Sequence, residues 1–288
     1  NKIKKIKSKK DLVISAGAGT NSLIYGVKEK FNKNGVYELN GKKIISSDIL
    51  VNLEIAKELR FLGKKLIVVA RRVDVFEKNF PQNTFVETDI TDDNSIDNFF
   101  EVIEKEGLGI DTVFWCAAIY TPMSYVDFSY EEAQKITNIN LTSIYKPFWA
   151  ITQKWIKDRN RFVENPHWIW ISSVAGYAGL PGSCAYGPTK SALNNVAESA
   201  FVEFKPFNID ISLVCPGFVD TRLTKKNSFS MPFIISPKEA SREIFNGLHK
   251  GVFEIHFPKK FTIILKIISL LPYRLFFQLT ARLTGRSK

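Results

Sequence analysis

The sequence predicts an α/β fold, a doubly wound parallel sheet in a single domain, and three observations carry that prediction. Short apolar runs rich in Val, Ile and Phe recur along the chain. Stretches with apolar residues at every third or fourth position separate them. A length of 288 residues with 45% hydrophobic content is enough to bury one large core. Strands that are apolar almost throughout are covered on both faces, as in a parallel sheet flanked by helices.

The strand-like runs are residues 12–15, 66–70, 84–87, 112–116, 168–172, 211–215 and 253–257. Helical periodicity is carried by residues 53–62, 96–103, 131–155, 186–204 and 237–248. Ser236-Pro237-Lys238-Glu239 marks one helix start: a capping serine, a proline at the first helical position and an acid in the first turn. A cluster of short polar residues, Thr91 to Ser95, opens the helix that carries Ile96 and Phe99.

A net charge of +11 alone would suggest nucleic acid or an anionic membrane as a partner. Its distribution argues against nucleic acid. Residues 1–10 hold six lysines, and residues 255–288 hold seven Lys or Arg with no Asp or Glu, so the remainder is close to neutral. A nucleic-acid reader would place its basic residues along a recognition element. The expected organisation is a basic segment 1–10, a body 11–257 and a basic amphipathic segment 258–288. The odd set Cys116, Cys184 and Cys215 speaks against disulfides and for a reducing, cytoplasmic compartment. His167, His249 and His256 lack metal-ligand spacing, so no metal is expected. No apolar run follows the lysine-rich start, so no secretory signal is expected.

The chemistry lies between residues 168 and 190. Ser173 precedes Tyr186 by thirteen positions and Lys190 follows it by four. Residues i and i+4 share a helix face, so the tyrosine and lysine meet over one site that a strand-end serine can approach. Reduction of a carbonyl by hydride needs a proton at the developing alkoxide. A tyrosine whose pKa is lowered by a nearby ammonium can supply it. Tyr186 would be the acid, Lys190 would supply the charge and hydrogen-bond a cofactor ribose, and Ser173 would polarise the substrate carbonyl.

With this spacing, with Asn138-Ile139-Asn140 on the preceding helical stretch, with Pro216-Gly217-Phe218-Val219-Asp220-Thr221 after a later strand and with Asp89 after the third, the chain resembles the short-chain dehydrogenase/reductase family from about residue 53 to 257. The resemblance implies a Rossmann-type domain that interconverts a small-molecule carbonyl and an alcohol. It also implies that Asn140 joins Ser173, Tyr186 and Lys190 in catalysis by holding a water in a proton relay. Asp89 would face the adenine, and Pro216, Gly217, Val219 and Thr221 would cover the nicotinamide. Where the family has Asn-Asn-Ala-Gly, this chain has Trp115-Cys116-Ala117-Ala118, and Ala117 keeps the small side chain that a close cofactor requires. The resemblance further implies a homo-oligomer with contacts through residues 131–155 and 186–204.

Gly17 and Gly19 follow the first apolar run and look like the start of a glycine-rich phosphate turn, but the third glycine is missing. Two accounts are open. In one, an insertion near residues 20–46 separates the turn from its helix at 53–62. In the other, Ser22 to Val27 is the first helix, residues 35–39 form an extra strand, and Glu38 holds the ribose. Spacing to Asp89 favours Arg71 and Arg72 as the groups that read the cofactor. Arginines there pair with a 2′-phosphate, so NADP is expected in preference to NAD. A solvated basic turn is the plainer reading. The alternative to an enzyme is a cofactor-impaired relative that acts as a binding or membrane-surface protein.

Residues 222–235, with Phe229, Met231, Phe233 and Ile234, occupy the place of the family's substrate lid and suggest a hydrophobic substrate. Residues 258–288 are apolar but interrupted by charges and Pro272, too short a run to span a bilayer. Such a segment could lie on a membrane surface, cover the substrate entrance, or pack on its own domain or on another subunit.

Overall fold

Seven strands form the main sheet of the computed structural model, in the order β5-β4-β1-β6-β7-β8-β9, and every neighbouring pair is parallel. The strands are β1 (Asp11–Ser15), β4 (Lys65–Ala70), β5 (Thr84–Glu87), β6 (Ile110–Trp115), β7 (His167–Ile171), β8 (Asp210–Pro216) and β9 (Glu254–Phe257). The structure describes residues 11–15, 37–39, 42–44, 54–55, 58–59, 62, 65–71, 84–159, 165–221, 223–227 and 231–284. All seven apolar runs are strands of this sheet. From β1 the chain builds outward through β4 to β5, then returns to the other side of β1 at β6. The reversal leaves a crevice at the carboxyl ends of the strands, where ligands of such sheets bind.

The helices on the two faces are α1 (Asp93–Lys105), α2 (Tyr130–Asn140), α3 (Tyr145–Lys157), α4 (Tyr186–Phe204), α5 (Pro237–His249), α6 (Lys259–Ser269) and α7 (Tyr273–Leu283). Alternation along the strands sorts the core. Ile67, Val69, Val113, Trp115, Trp168, Trp170, Ile211 and Leu213 pack on one face with Trp155 of α3 and Leu193 and Ala197 of α4. Leu66, Val68, Phe114, Ile169, Val214, Ile255 and Phe257 pack on the other, with Ala240 and Ile244 of α5 and with Ile55 and Leu59. Trp115, Trp168 and Trp170 form an aromatic stack against Phe148, and Trp155 donates from Nε1 to the Ile110 carbonyl at 2.6 Å. The Ser236–Glu239 capping box at the start of α5 is formed in both directions.

Two sequence expectations need correction. The single helical run 131–155 is two helices, broken by a 3-10 turn over Thr142–Ile144. Pro147 explains the break: its ring would clash with the carbonyl four residues earlier, and it is tolerated only in the first turn of α3. The extra strand expected at 35–39 exists as β2 (Tyr37–Leu39), but it pairs antiparallel with β3 (Lys42–Ile44) in a separate two-stranded sheet. The neighbour of β1 in the main sheet is β4, which puts Arg71 and not Glu38 at the strand end beside the crevice. The basic segment 1–10 and most of the stretch 20–46 lie outside the described residues.

His167 makes the sheet sensitive to pH. Its Nε2 is 2.9 Å from Ser212 Oγ on β8. Burial lowers its pKa to about 4, against a smaller opposing pull from Asp210. A base whose folded pKa lies below its unfolded value is neutral in the fold, so protons are taken up first by the unfolded chain as pH falls. Its contribution is whole above about pH 6.5 and is lost towards pH 4, by at most about 3 kcal/mol. Urea unfolding at a series of pH values should show this loss in the native chain and a flatter profile in His167→Gln. Identical profiles would contradict the assignment.

Candidate active site

The site is assembled at the end of β7. Ile171 closes the strand, and Ser173, extended at φ −166°, caps a 3-10 turn over Val174–Gly176 by accepting the Ala175 N–H at 3.2 Å. Its hydroxyl proton has no acceptor among the described residues and can be offered to a substrate oxygen. Tyr186 is the first residue of α4 and Lys190 lies one turn later on the same face. Lys190 is 2% exposed; its Nζ donates to the Ile171 carbonyl at 2.9 Å and sits 5.6 Å from the Tyr186 ring centre. The lysine therefore holds a positive charge beside the tyrosine while tied to the strand that carries the serine. That charge also faces Cys116 and Cys215, but burial dominates there and pushes both thiols up to about 12, so neither is a nucleophile at neutral pH.

Asn140, the last residue of α2, is fully buried. Its side chain accepts from the Ile119 N–H at 2.7 Å and donates to the Ile119 carbonyl at 2.9 Å and to Thr189 Oγ1 at 3.3 Å. It thereby clamps the loop after β6, with the buried Ala117 and Ala118, onto α4. The helix stops here: Ile144, whose N–H would bond the Asn140 carbonyl in a continued helix, donates to Leu141 instead. The expected role of Asn140 as a water holder can be filled by that carbonyl, because the amide group is occupied.

Around this centre lie the expected cofactor residues. Arg71 follows β4 directly, and Asp89 lies two residues beyond β5. Burial pushes the Asp89 carboxyl up, but bonds from the Thr91 hydroxyl (2.7 Å) and N–H (2.9 Å) and the Arg71 guanidinium outweigh it and hold the group below the usual range. Pro216 ends β8, and the Gly217 N–H donates to the Phe257 carbonyl at 2.7 Å. Val219 and Thr221 are buried, with Val219 in the core and Thr224 Oγ1 bonding the Val219 and Thr221 carbonyls. Gly17, Gly19 and Arg72, and Arg222 and Phe229 of the lid, lie outside the described residues. Among the described residues no group of His, Cys, Asp and Glu could hold a metal.

Sequence reasoning missed the groups that seat α4. Ser172 Oγ donates to Asn194 Oδ1 at 2.5 Å and lies 3.2 Å from the Lys190 carbonyl, and a Cβ on Gly176 would meet that carbonyl group at 2.7 Å. It also missed Tyr120, whose ring stands edge-on to Tyr186 at 4.9 Å and whose hydroxyl donates to Asn227 at 2.8 Å. Lys226 donates to the Tyr120 carbonyl at 2.7 Å, so the segment expected to be the lid is latched to the loop after β6. Burial raises the Tyr120 hydroxyl pKa, which keeps it a neutral donor. Both sets are single polar residues without a repeating spacing, so no local signal exposes them.

A parallel sheet reversing at β1, with serine, tyrosine and lysine gathered at its carboxyl edge, defines an oxidoreductase of the dinucleotide-fold class. Residues 51–231 match the short chain dehydrogenase family, and the chain belongs to that family. An uncharacterized oxidoreductase of Myxococcus xanthus is 26% identical over 191 residues, 66% of this chain and 74% of its own length. The 3-oxoacyl-[acyl-carrier-protein] reductase MabA of Mycobacterium tuberculosis is 26% identical over 201 residues, 69% of this chain and 75% of its own. A short chain dehydrogenase from Burkholderia cenocepacia, solved in complex with NADP, has the same fold: TM-score 0.70 at 15% identity, covering 94% of this chain and 98% of that one.

The close approach at Gly176 is testable. Gly176→Ala should force α4 away from β7, lower stability by about 1–3 kcal/mol and reduce turnover at least tenfold. Gly179→Ala, where a Cβ meets open space, should be neutral in both. Equal denaturant midpoints and rates for the two variants would show that the contact does not position the site.

Proposed function

We propose that this protein is an NADP-dependent reductase of hydrophobic carbonyl compounds, with Tyr186 as the proton donor. The observation that carries the reading is the tie of Lys190 to both the Ile171 carbonyl and the Tyr186 ring, beside a Ser173 hydroxyl that accepts the Ala175 N–H. The residues suit a dinucleotide: Arg71 supplies a cation at the strand end, and Ala117 leaves room for a close backbone approach. NADPH, when bound, supplies the hydride. Ser173 donates to the carbonyl oxygen and orients it, and Tyr186 delivers its phenolic proton to that oxygen as the alcohol forms. The Lys190 ammonium favours the phenolate left behind, and the relay through a water at the Asn140 carbonyl returns the proton. Phe233, Ile234 and Met231 of the lid support an apolar substrate, and the likeness to a 3-oxoacyl-thioester reductase supports an acyl chain beside the carbonyl. The exposed Trp149 of α3 and Phe201 of α4 support assembly into a homo-oligomer through these helices.

Two measurements test this reading. Tyr186→Phe should lower reduction of a 3-oxoacyl thioester by about 10²–10⁴ and leave NADPH binding unchanged by fluorescence titration. An undiminished rate would remove Tyr186 from the chemistry. Arg71→Glu should weaken NADPH binding by about ten- to a hundredfold and NADH binding much less. Equal losses for both cofactors would place the 2′-phosphate elsewhere, and no binding of either to the folded native chain would favour a cofactor-impaired protein.

A further inference from the structure

The helix α6 and the residue after it present a row of apolar side chains to solvent. Ile264, Ile267 and Leu270 are 49%, 58% and 83% exposed, whereas Thr262 is fully buried and Lys266 and Ser269 are turned partly inward. The helix is firmly seated, because its inner side, which includes the buried Ile268, is tied at three points. Lys266 pairs with Glu254 on β9 and lies 5.4 Å from the Tyr177 ring, whose hydroxyl donates to the same carboxylate at 2.7 Å. His256 Nδ1 is 2.6 Å from Thr262 Oγ1. Phe261 fills the space over Gly217, where a Cβ would meet its ring at 2.8 Å. Thr262 and Lys266 are thus bonded inside beside the buried Ile268, while Ile263, Ile264 and Ile267 are left outside. α7 continues the pattern: Phe276 and Thr280 are buried, while Tyr273 and Phe277 stack on each other at 5.5 Å with 77% and 59% exposure.

We infer that this outer face of α6 and α7 is a docking surface for an anionic lipid bilayer. Charge selects the occupant. Residues 255–288 contain seven Lys or Arg and no acid, and Lys259, Lys260, Arg274 and Arg282 are exposed along the helix pair. A second copy joined by a two-fold axis would bring the same acid-free surface against itself, and like charges would oppose each other. A bilayer with anionic headgroups receives both features: isoleucines and aromatics enter the headgroup boundary and the basic side chains remain at its surface. No helix among the described residues is long and apolar enough to cross a membrane, so the contact is one of lying on the surface. On the inner side of the same helix the Phe261 ring lies beside those of Phe218 and Phe233, with centroids 5.2 and 6.3 Å apart, so the helix that would meet the bilayer also packs on this segment.

The test is sedimentation of the full chain with phosphatidylcholine vesicles made with and without phosphatidylglycerol. Binding should require the anionic lipid. I264D/I267D, both on the exposed side, should abolish it with an unchanged denaturant midpoint, and K259Q/K260Q should weaken it roughly 25-fold, about fivefold for each basic side chain removed. Equal binding to both vesicle types, or binding that survives I264D/I267D, would overturn the proposal and assign any lipid contact to another segment, such as residues 1–10. Absence of vesicle binding would also overturn it. A native dimer that I264D/I267D converts to monomer would identify a second copy as the occupant instead.

Discussion

Gly176 lies so near the Lys190 carbonyl that no side chain fits between them, and Ser172 bridges the same carbonyl to Asn194. This close contact between the end of β7 and the second turn of α4 determines where Tyr186 and Lys190 stand relative to Ser173. Tyr186 stands on α4 and Ser173 at the end of β7, and the two elements are brought together by packing. Preorganisation of this kind is inexpensive in binding energy because the proposed acid, charge and polarising hydroxyl are placed before any ligand arrives.

The buried lysine shows how the fold sustains a charge inside. Removing an ammonium from water is costly unless its protons are bonded, and Lys190 gives one to the carbonyl of Ile171 at the end of β7. The same economy governs Asn140, whose amide meets both backbone groups of Ile119 and thereby shapes the loop where Ala117 and Ala118 replace the family's Ala-Gly. Loss of the family's asparagine from the Trp115-Cys116 pair is accommodated because Trp115 joins the aromatic stack under the sheet.

The C-terminal segment packs beside the expected cofactor residues: Phe261 closes the space over Gly217 and lies next to Phe233. Lys266 and Thr262 are drawn inward by Glu254, Tyr177 and His256 beside the buried Ile268, and helical geometry then turns Ile263, Ile264 and Ile267 outward.

The sequence by itself determined the parallel sheet, the seven strands and the Ser173, Tyr186, Lys190 group, because each is written in local spacing: continuous apolar runs, a helical period and an i, i+4 pair. The capping box at Ser236 was legible for the same reason. The tertiary structure alone decided the break before Pro147, the separation of β2 and β3 from the main sheet, the clamp by Asn140, the latch between Tyr120 and Asn227, and the orientation of α6. These depend on which distant segment lies alongside, with partners such as Tyr120 and Asn227 more than a hundred residues apart. Periodicity reports the faces of an element, but only packing reports what each face meets.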